Sequence, residues 1–183
     1  ELVWDVSLDG NRLLAAGPAN PVPGSDLQAA LLFDVADPAD PQLLDSVRTE
    51  YPIHNCFFED GVAYLAANGP DGNPLVCFDV GGGSFTEVGR WSLFDHDPAW
   101  SEVHTGLRQL HDVTVQDGIA YLPYWEAGTY LVDVSDPSDP RYLGHTAVHD
   151  RSELADIGGV GAIGGLLVDG AQNGARIVWE ALT

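Results

Sequence analysis

The sequence predicts an all-β fold assembled from four-stranded antiparallel blades, because three short markers recur in phase along its 183 residues. An Asp closes an apolar run at Leu32-Phe33-Asp34-Val35, Cys77-Phe78-Asp79-Val80 and Leu131-Val132-Asp133-Val134, with Val178-Trp179-Glu180-Ala181 as a weaker fourth copy. The intervals between these acids are 45, 54 and 47 residues, a spacing that fits one repeated supersecondary unit. Asp9-Gly10, Asp60-Gly61 and Asp117-Gly118 each stand between two apolar runs, and Asp-Gly supplies the positive φ angles of a tight hairpin. A doubled Asp-Pro follows the apolar run in two copies, as Asp37-Pro38-Ala39-Asp40-Pro41 and Asp136-Pro137-Ser138-Asp139-Pro140. Asp bonds its own backbone two residues on and Pro presets φ, so each doublet makes a rigid turn into a further strand.

In order along the chain, the first blade covers about 1–50, with a hairpin at Asp9-Gly10 and a last strand from Gln42 to Val47. Its second and third strands are separated by Pro18 to Gln28, whose prolines and glycines read as a surface loop. The second blade covers about 51–95 and carries Phe85 to Leu93 in the place of the last strand. A linker loop at 94–108 precedes the third blade, about 109–147, which ends on Arg141 to His145. Residues 148–183 supply part of a fourth blade: Gly165-Leu166-Leu167-Val168-Asp169 and Ala175 to Leu182 are strand-like, and no outermost strand follows.

Four short antiparallel strands per unit is the content of a β-propeller blade, and a propeller closes with four to eight of them. The prediction is therefore a single domain, 1–183, holding three blades plus a partial fourth, an incomplete propeller. An absent initiator and the open last blade lead us to expect a fragment of a longer protein.

Composition narrows the setting. Twenty-eight acids against seven bases give a formal charge of −21, with all seven bases Arg and no Lys. Such a surface repels itself at low ionic strength and is relieved by screening, which predicts a halophilic protein with an acidic surface. The same field excludes nucleic acid as a partner, since phosphate binding needs a basic footprint. No apolar run approaches the ~20 residues that a membrane-crossing helix requires. Two cysteines, Cys56 and Cys77, are too few for a disulfide scaffold or a zinc site, and both align with core hydrophobes of the third copy, Val113 and Leu131.

Gly128-Thr129-Tyr130-Leu131-Val132-Asp133-Val134-Ser135-Asp136-Pro137-Ser138-Asp139-Pro140 resembles the motif of LVIVD-repeat proteins. The likeness extends loosely over residues 1 to about 145. It implies a β-propeller, often at the surface of archaeal and bacterial cells, in a family mostly without assigned activity. Leu110-His111-Asp112-Val113-Thr114-Val115 together with Tyr130 to Pro140 is similar to a stretch of the selenium-binding protein family, propellers that include copper-dependent methanethiol oxidases. That likeness implies at most that His111 is a copper ligand.

Candidate chemistry gathers at His54-Asn55 and His111-Asp112, which take the same place at the start of the first strand in copies two and three. First strands line the channel, so equivalent residues of successive blades converge at one mouth. With His104 from the linker loop, the imidazoles of His54 and His111 and the carboxylate of Asp112 form a candidate transition-metal set, copper or zinc. The alternative is that both His are blade-signature residues bonding a neighbouring blade. Val3 aligns with them in the first copy, leaving the ring of His incomplete.

Trp100, Tyr124 and Trp125 are the candidate recognition surface, against the alternative of packing between blades. Asp34, Asp79 and Asp133 recur in every blade and are read as strand-end hydrogen-bonding residues. No nucleophile elbow, phosphate loop or EF-hand spacing occurs. The expected function is a non-enzymatic binding or scaffold module at the cell surface, with protein, glycan or small molecule as ligand. A metal-dependent, copper-type oxidoreductase is the alternative.

Overall fold

The computed structural model describes residues 3–17, 29–69, 74–103, 108–125 and 127–146, and the sequence-predicted fourth blade lies outside them. The regular secondary structure of the described residues is nearly all strand, arranged as three four-stranded antiparallel sheets. Blade one holds β1 (Asp5–Asp9), β2 (Arg12–Ala16), β3 (Ala30–Asp34) and β4 (Gln42–Val47). Blade two holds β5 (Ile53–Glu59), β6 (Val62–Ala67), β7 (Leu75–Asp79) and β8 (Thr86–Trp91). Blade three holds β9 (Thr114–Gln116), β10 (Ile119–Tyr124), β11 (Gly128–Asp133) and β12 (Arg141–Thr146). Within each blade the strands pair in chain order, so the fold is a partial β-propeller.

The turn chemistry follows the residues. Asp60 and Gly61 have φ of +51° and +77°, and Asp117 and Gly118 have +52° and +74°, the paired positive values of a two-residue I′ hairpin. Blade one differs. There Asp9 pairs directly with Arg12, so the two turn residues are Gly10 and Asn11, and Gly10 alone takes positive φ, +57°. The Asp-Gly of the first copy is thus displaced by one residue from the other two.

Each strand-closing Asp accepts from the backbone N–H two residues on: Asp34 from Ala36 at 2.8 Å, Asp79 from Gly81 at 2.8 Å and Asp133 from Ser135 at 3.0 Å. The two Asp-Pro turns are superimposable in their bonding. Asp37 accepts from Ala39 N–H through its carboxylate and from Asp40 N–H through its carbonyl, both at 3.0 Å. Asp136 does the same with Ser138 and Asp139, again both at 3.0 Å.

Register assigns every side chain to one of two blade faces, since directly paired residues share a face and neighbours alternate. The face turned to the next blade is the leading face, formed by Ser7, Leu14, Leu32 and Asp45 in blade one. Its counterparts are Phe57, Tyr64, Cys77 and Gly89 in blade two, and Thr114, Tyr121, Leu131 and Gly144 in blade three. The trailing face, turned to the preceding blade, is Phe58, Ala63, Phe78 and Glu87 in blade two and Val115, Ala120, Val132 and Tyr142 in blade three.

Two cores result, one per blade junction. Leu14 and Leu32 bury against Phe58, Ala63 and Phe78 between blades one and two. Tyr64 and Cys77 bury against Val115, Ala120 and Val132 between blades two and three.

Polar links run along the same junctions. The inner edge of β5 lacks a strand partner, and blade one supplies acceptors instead: Asp5 to Cys56 N–H at 2.9 Å, Ser7 to Phe58 N–H at 2.9 Å and Asp9 to Gly61 N–H at 3.2 Å. Arg12 donates to the Val80 carbonyl at 2.7 Å, and Asp45 accepts from Phe85 N–H at 2.8 Å. Both cysteines are free and buried; burial pushes the Cys77 thiol up to about 12, so it is a neutral core side chain.

The linker predicted as a loop is instead partly ordered as helix. Ser92 caps a single helical turn, α1 (Leu93–His96), and Asp97 caps a turn of 3-10 helix at Pro98–Glu102. Arg108 fastens it, donating to the Trp100 carbonyl at 3.0 Å and to that of Ser101 while its guanidinium lies 4.5 Å from the Phe94 ring centre.

Candidate functional site

The hairpin register fixes which residues are equivalent on the three inner strands. Tyr64 and Tyr121 stand at the same step of the second strand as Leu14, and their partners are Phe57, Thr114 and Ser7. Counting back two residues makes Asp5, Asn55 and Asp112 equivalent, and three residues makes Trp4, His54 and His111 equivalent. The blade-one counterpart of the two histidines is therefore Trp4, not Val3. One-residue displacement of the first Asp-Gly turn is the reason.

These three residues form a continuous row of rings that Trp125 extends. Trp4 and His54 meet edge to face with centroids 5.5 Å apart, His54 and His111 at 5.1 Å, and His111 and Trp125 at 4.7 Å. Trp4 is half exposed, at 51%, while the imidazoles and Trp125 are partly buried. Beneath the row, Asn55 donates its side-chain N–H to Asp112 at 2.7 Å, and Val113 N–H donates to the same carboxylate oxygen at 2.7 Å.

Electrostatics favour uncharged imidazoles. Burial first, and then the neighbouring His111, lower the His54 pKa, against the opposing pull of Asp112 and Asp5. Burial lowers the His111 pKa as well. Burial raises the Asp112 carboxyl pKa, an effect that its bonds to Val113 and Asn55 and the nearby His54 oppose. His111 donates its backbone N–H to the Pro123 carbonyl at 2.9 Å, whereas its ring Nδ1 is buried with no partner among the described residues.

The structure thus brings together His54, His111 and Asp112, and adds Trp4 and Trp125. His104 lies outside the described residues. Among the described residues no group of three or more His, Cys, Asp or Glu side chains is placed to hold a metal ion. Two candidate surface residues are corrected: Trp100 is 3% exposed and Tyr124 fully buried, both in the core between blades two and three. Their rings fill the volume under the linker, where their area is worth more to packing than to recognition. Of the three, Trp125 alone reaches the ring row.

A cavity of about 310 Å³ lies elsewhere, between the blade-one to blade-two link (Val47, Glu50, Tyr51) and the outer strands of blade two (Phe78, Glu87, Arg90). Sequence reasoning also did not single out His96, Tyr142 and His145. His96 stacks on Tyr142 with centroids 3.8 Å apart, and the Tyr142 hydroxyl lies 2.6 Å from His145 Nδ1.

Comparison with known proteins agrees with the architecture. Residues 108–147, which contain blade three, match the LVIVD repeat. No curated protein matches the chain. Among solved structures it is similar to the computationally designed protein Ika8, at 10% identity and TM-score 0.53 over 81% of this chain and 37% of that one. It is also similar to the periplasmic gluconolactonase PpgL of Pseudomonas aeruginosa, at 10% identity and TM-score 0.57 over 78% of this chain and 44% of that one. The chain spans less than half the length of either structure, and at this identity the likeness is one of fold. No helix among the described residues is long and apolar enough to cross a membrane.

Proposed function

We propose that the chain is a propeller binding module without catalytic activity, working at or outside the cell surface in high salt, with its ligand seated on the Trp4, His54, His111 and Trp125 row. The observation that carries this reading is the His111 Nδ1 atom, held out of water without a partner among the described residues in the middle of that row. Buried polar atoms are satisfied in functional complexes, and a ligand edge laid between the rings supplies the missing bond. Two indoles flanking two uncharged imidazoles suit a small molecule, or a glycan or protein group, with a flat apolar face and one hydrogen-bonding edge. The charge of −21 turns away phosphate-rich partners and favours neutral or cationic ones. An LVIVD repeat in blade three supports the extracellular setting by analogy with its family.

A second reading is a copper-type oxidoreductase in which His54 and His111, with Asp112, ligate a transition metal. The 5.1 Å separation of the two imidazole centroids favours it, and it is opposed by the finding that no group of three or more His, Cys, Asp or Glu side chains among the described residues, Asp112 included, is placed to hold a metal ion. Metal analysis of protein purified in molar KCl separates the two. The binding module is expected to carry less than stoichiometric metal, unchanged in His54→Ala/His111→Ala, and to give small-molecule thermal shifts that this double variant loses. Stoichiometric copper or zinc that disappears in the double variant would replace the first reading with the second.

A further inference from the structure

Every blade breaks its outer pairing at the same step. The register shifts between Leu32 and Phe33, between Cys77 and Phe78, and between Leu131 and Val132, which leaves Leu44, Val88 and Leu143 with no opposite residue on the third strand. One extra residue in a strand brings positions three apart onto the same face, where regular alternation would set them on opposite sides. The bulge therefore pairs Leu43 with Ser46 in blade one, Glu87 with Arg90 in blade two and Tyr142 with His145 in blade three. In blade two the pair is a salt bridge, with Arg90 donating to Glu87 at 2.9 and 2.7 Å. In blade three it sets the Tyr142 hydroxyl 2.6 Å from His145 Nδ1.

This pair stands at the end of a stack of rings that reaches into the junction between blades two and three. Tyr130, opposite His145 across β11 and β12, lies parallel to its imidazole, with centroids 4.7 Å apart and 10° between the planes. Trp91 of blade two meets Tyr130 at 5.7 Å and Tyr124 at 6.2 Å, and Tyr124 meets Tyr130 at 5.6 Å. Trp91, Tyr124 and Tyr130 are 8% exposed or less. His96, stacked on the Tyr142 ring at 3.8 Å, fixes the phenol in place.

Taking an electron from a phenol makes its proton strongly acidic, so the electron leaves readily where a base accepts that proton. Inside the core this is costly, because a charged ring is poorly solvated there. Burial pushes the Tyr124 hydroxyl pKa well above its usual range. Imidazole is the side-chain base that takes up a proton near neutral pH, and at Tyr142 one is already in hydrogen-bond reach.

We propose that Tyr142 is a one-electron oxidation site, at which an outer-sphere one-electron oxidant takes an electron from the phenol while its hydroxyl proton passes to His145 Nδ1. The O–H bond of Tyr142 breaks, an N–H bond forms on His145 and the oxidant is reduced by one electron. A neutral tyrosyl radical is left beside an imidazolium. Trp91, Tyr124 and Tyr130 feed the same site: an electron vacancy created on any of them moves through the ring contacts to Tyr142, where the proton transfer traps it. The site lies at the outer strand of blade three and is independent of the Trp4, His54, His111 and Trp125 row.

Flash photolysis of a ruthenium tris-bipyridine sensitiser, with methyl viologen as electron acceptor in molar KCl, supplies the oxidant to the full chain. Wild type is expected to give a tyrosyl radical by electron paramagnetic resonance and transient absorption, formed more slowly in heavy water. Tyr142→Phe, which keeps the ring that stacks on His96, should lose most of the tyrosyl yield and show a tryptophan radical in its place. His145→Gln, whose amide takes up no proton, should form the tyrosyl radical several-fold more slowly. An undiminished tyrosyl yield in Tyr142→Phe would overturn the proposal, as would equal rates in wild type and His145→Gln or a wild-type rate unchanged in heavy water. Both variants are first checked for native circular dichroism; if His145→Gln does not fold, the Tyr142→Phe yield and the heavy-water comparison decide alone.

Discussion

Asn55 of blade two donates its side-chain N–H to Asp112 of blade three across 2.7 Å, and the two residues hold the same step on successive inner strands. The position is therefore a junction between blades before it is anything else. Burial raises the Asp112 carboxyl pKa, and Asn55 with Val113 N–H opposes that rise. Asn55→Leu removes a donor from a partly buried carboxylate and is expected to cost about 1–3 kcal/mol. Asp112→Asn keeps a hydrogen-bonding group without the charge and should cost less. Equilibrium urea unfolding in molar KCl measures both; equal costs, or an Asn55→Leu loss within noise, would show that the bond is not a stabilising link.

Gly89 and Gly144 occupy equivalent steps in successive blades, Gly89 covered by the Pro137 turn and Gly144 with nothing within 4 Å of its Cβ position among the described residues. Gly89→Val forces the Pro137 turn away and is expected to destabilise by about 1–3 kcal/mol, the usual range for overpacking. Gly144→Val, whose added Cβ meets nothing within 4 Å among the described residues, is expected to cost less than Gly89→Val. The check is the difference in unfolding midpoint between the two variants. If both lose equally, the glycines serve backbone conformation and not the seat of a turn.

Much of this arrangement is legible in the residues alone, and the failures have a common cause. The strand-closing acids, the Asp-Pro turns and the copy-two hairpin carry their own backbone chemistry, so local reading finds them. Local pattern places the first blade one residue out of step, because Val3 and Trp4 are both apolar and Asp9-Gly10 looks like the other two turns. Only cross-strand register, Asp9 against Arg12, separates the alternatives. Trp100 and Tyr124 read as surface aromatics because burial of a linker depends on Arg108 and Phe94, whose approach no local pattern encodes.

Acid should loosen the ring row. Burial lowers the pKa of both His54 and His111 from 6.5, so the unfolded chain binds more protons than the fold just below that value. Their contribution is then fully present above pH 6.5 and is lost as pH falls through the folded values. Asp112 acts in the opposite sense, its raised pKa favouring the protonated fold and costing stability as pH rises. In an Asp112→Asn background, the melting temperature is expected to fall between pH 7 and pH 5, and the fall should shrink in His54→Gln/His111→Gln. An unchanged slope in the triple variant would remove the imidazoles as its source.

Salt should act in the other direction. A net charge of −21 on 183 residues repels across the whole surface, and the Debye length shrinks from about 10 Å at 0.1 M to about 3 Å at 1 M. Raising KCl through that range is expected to raise the melting temperature steeply, by well over 10 °C. Salt at molar concentration also strengthens apolar burial, as osmolytes do without screening charge. Sucrose matched in osmolality provides the control: it should recover only a minor part of the KCl effect if charge repulsion dominates. Equal stabilisation by sucrose would mean that the acids are a solubility feature and that the fold does not depend on high salt.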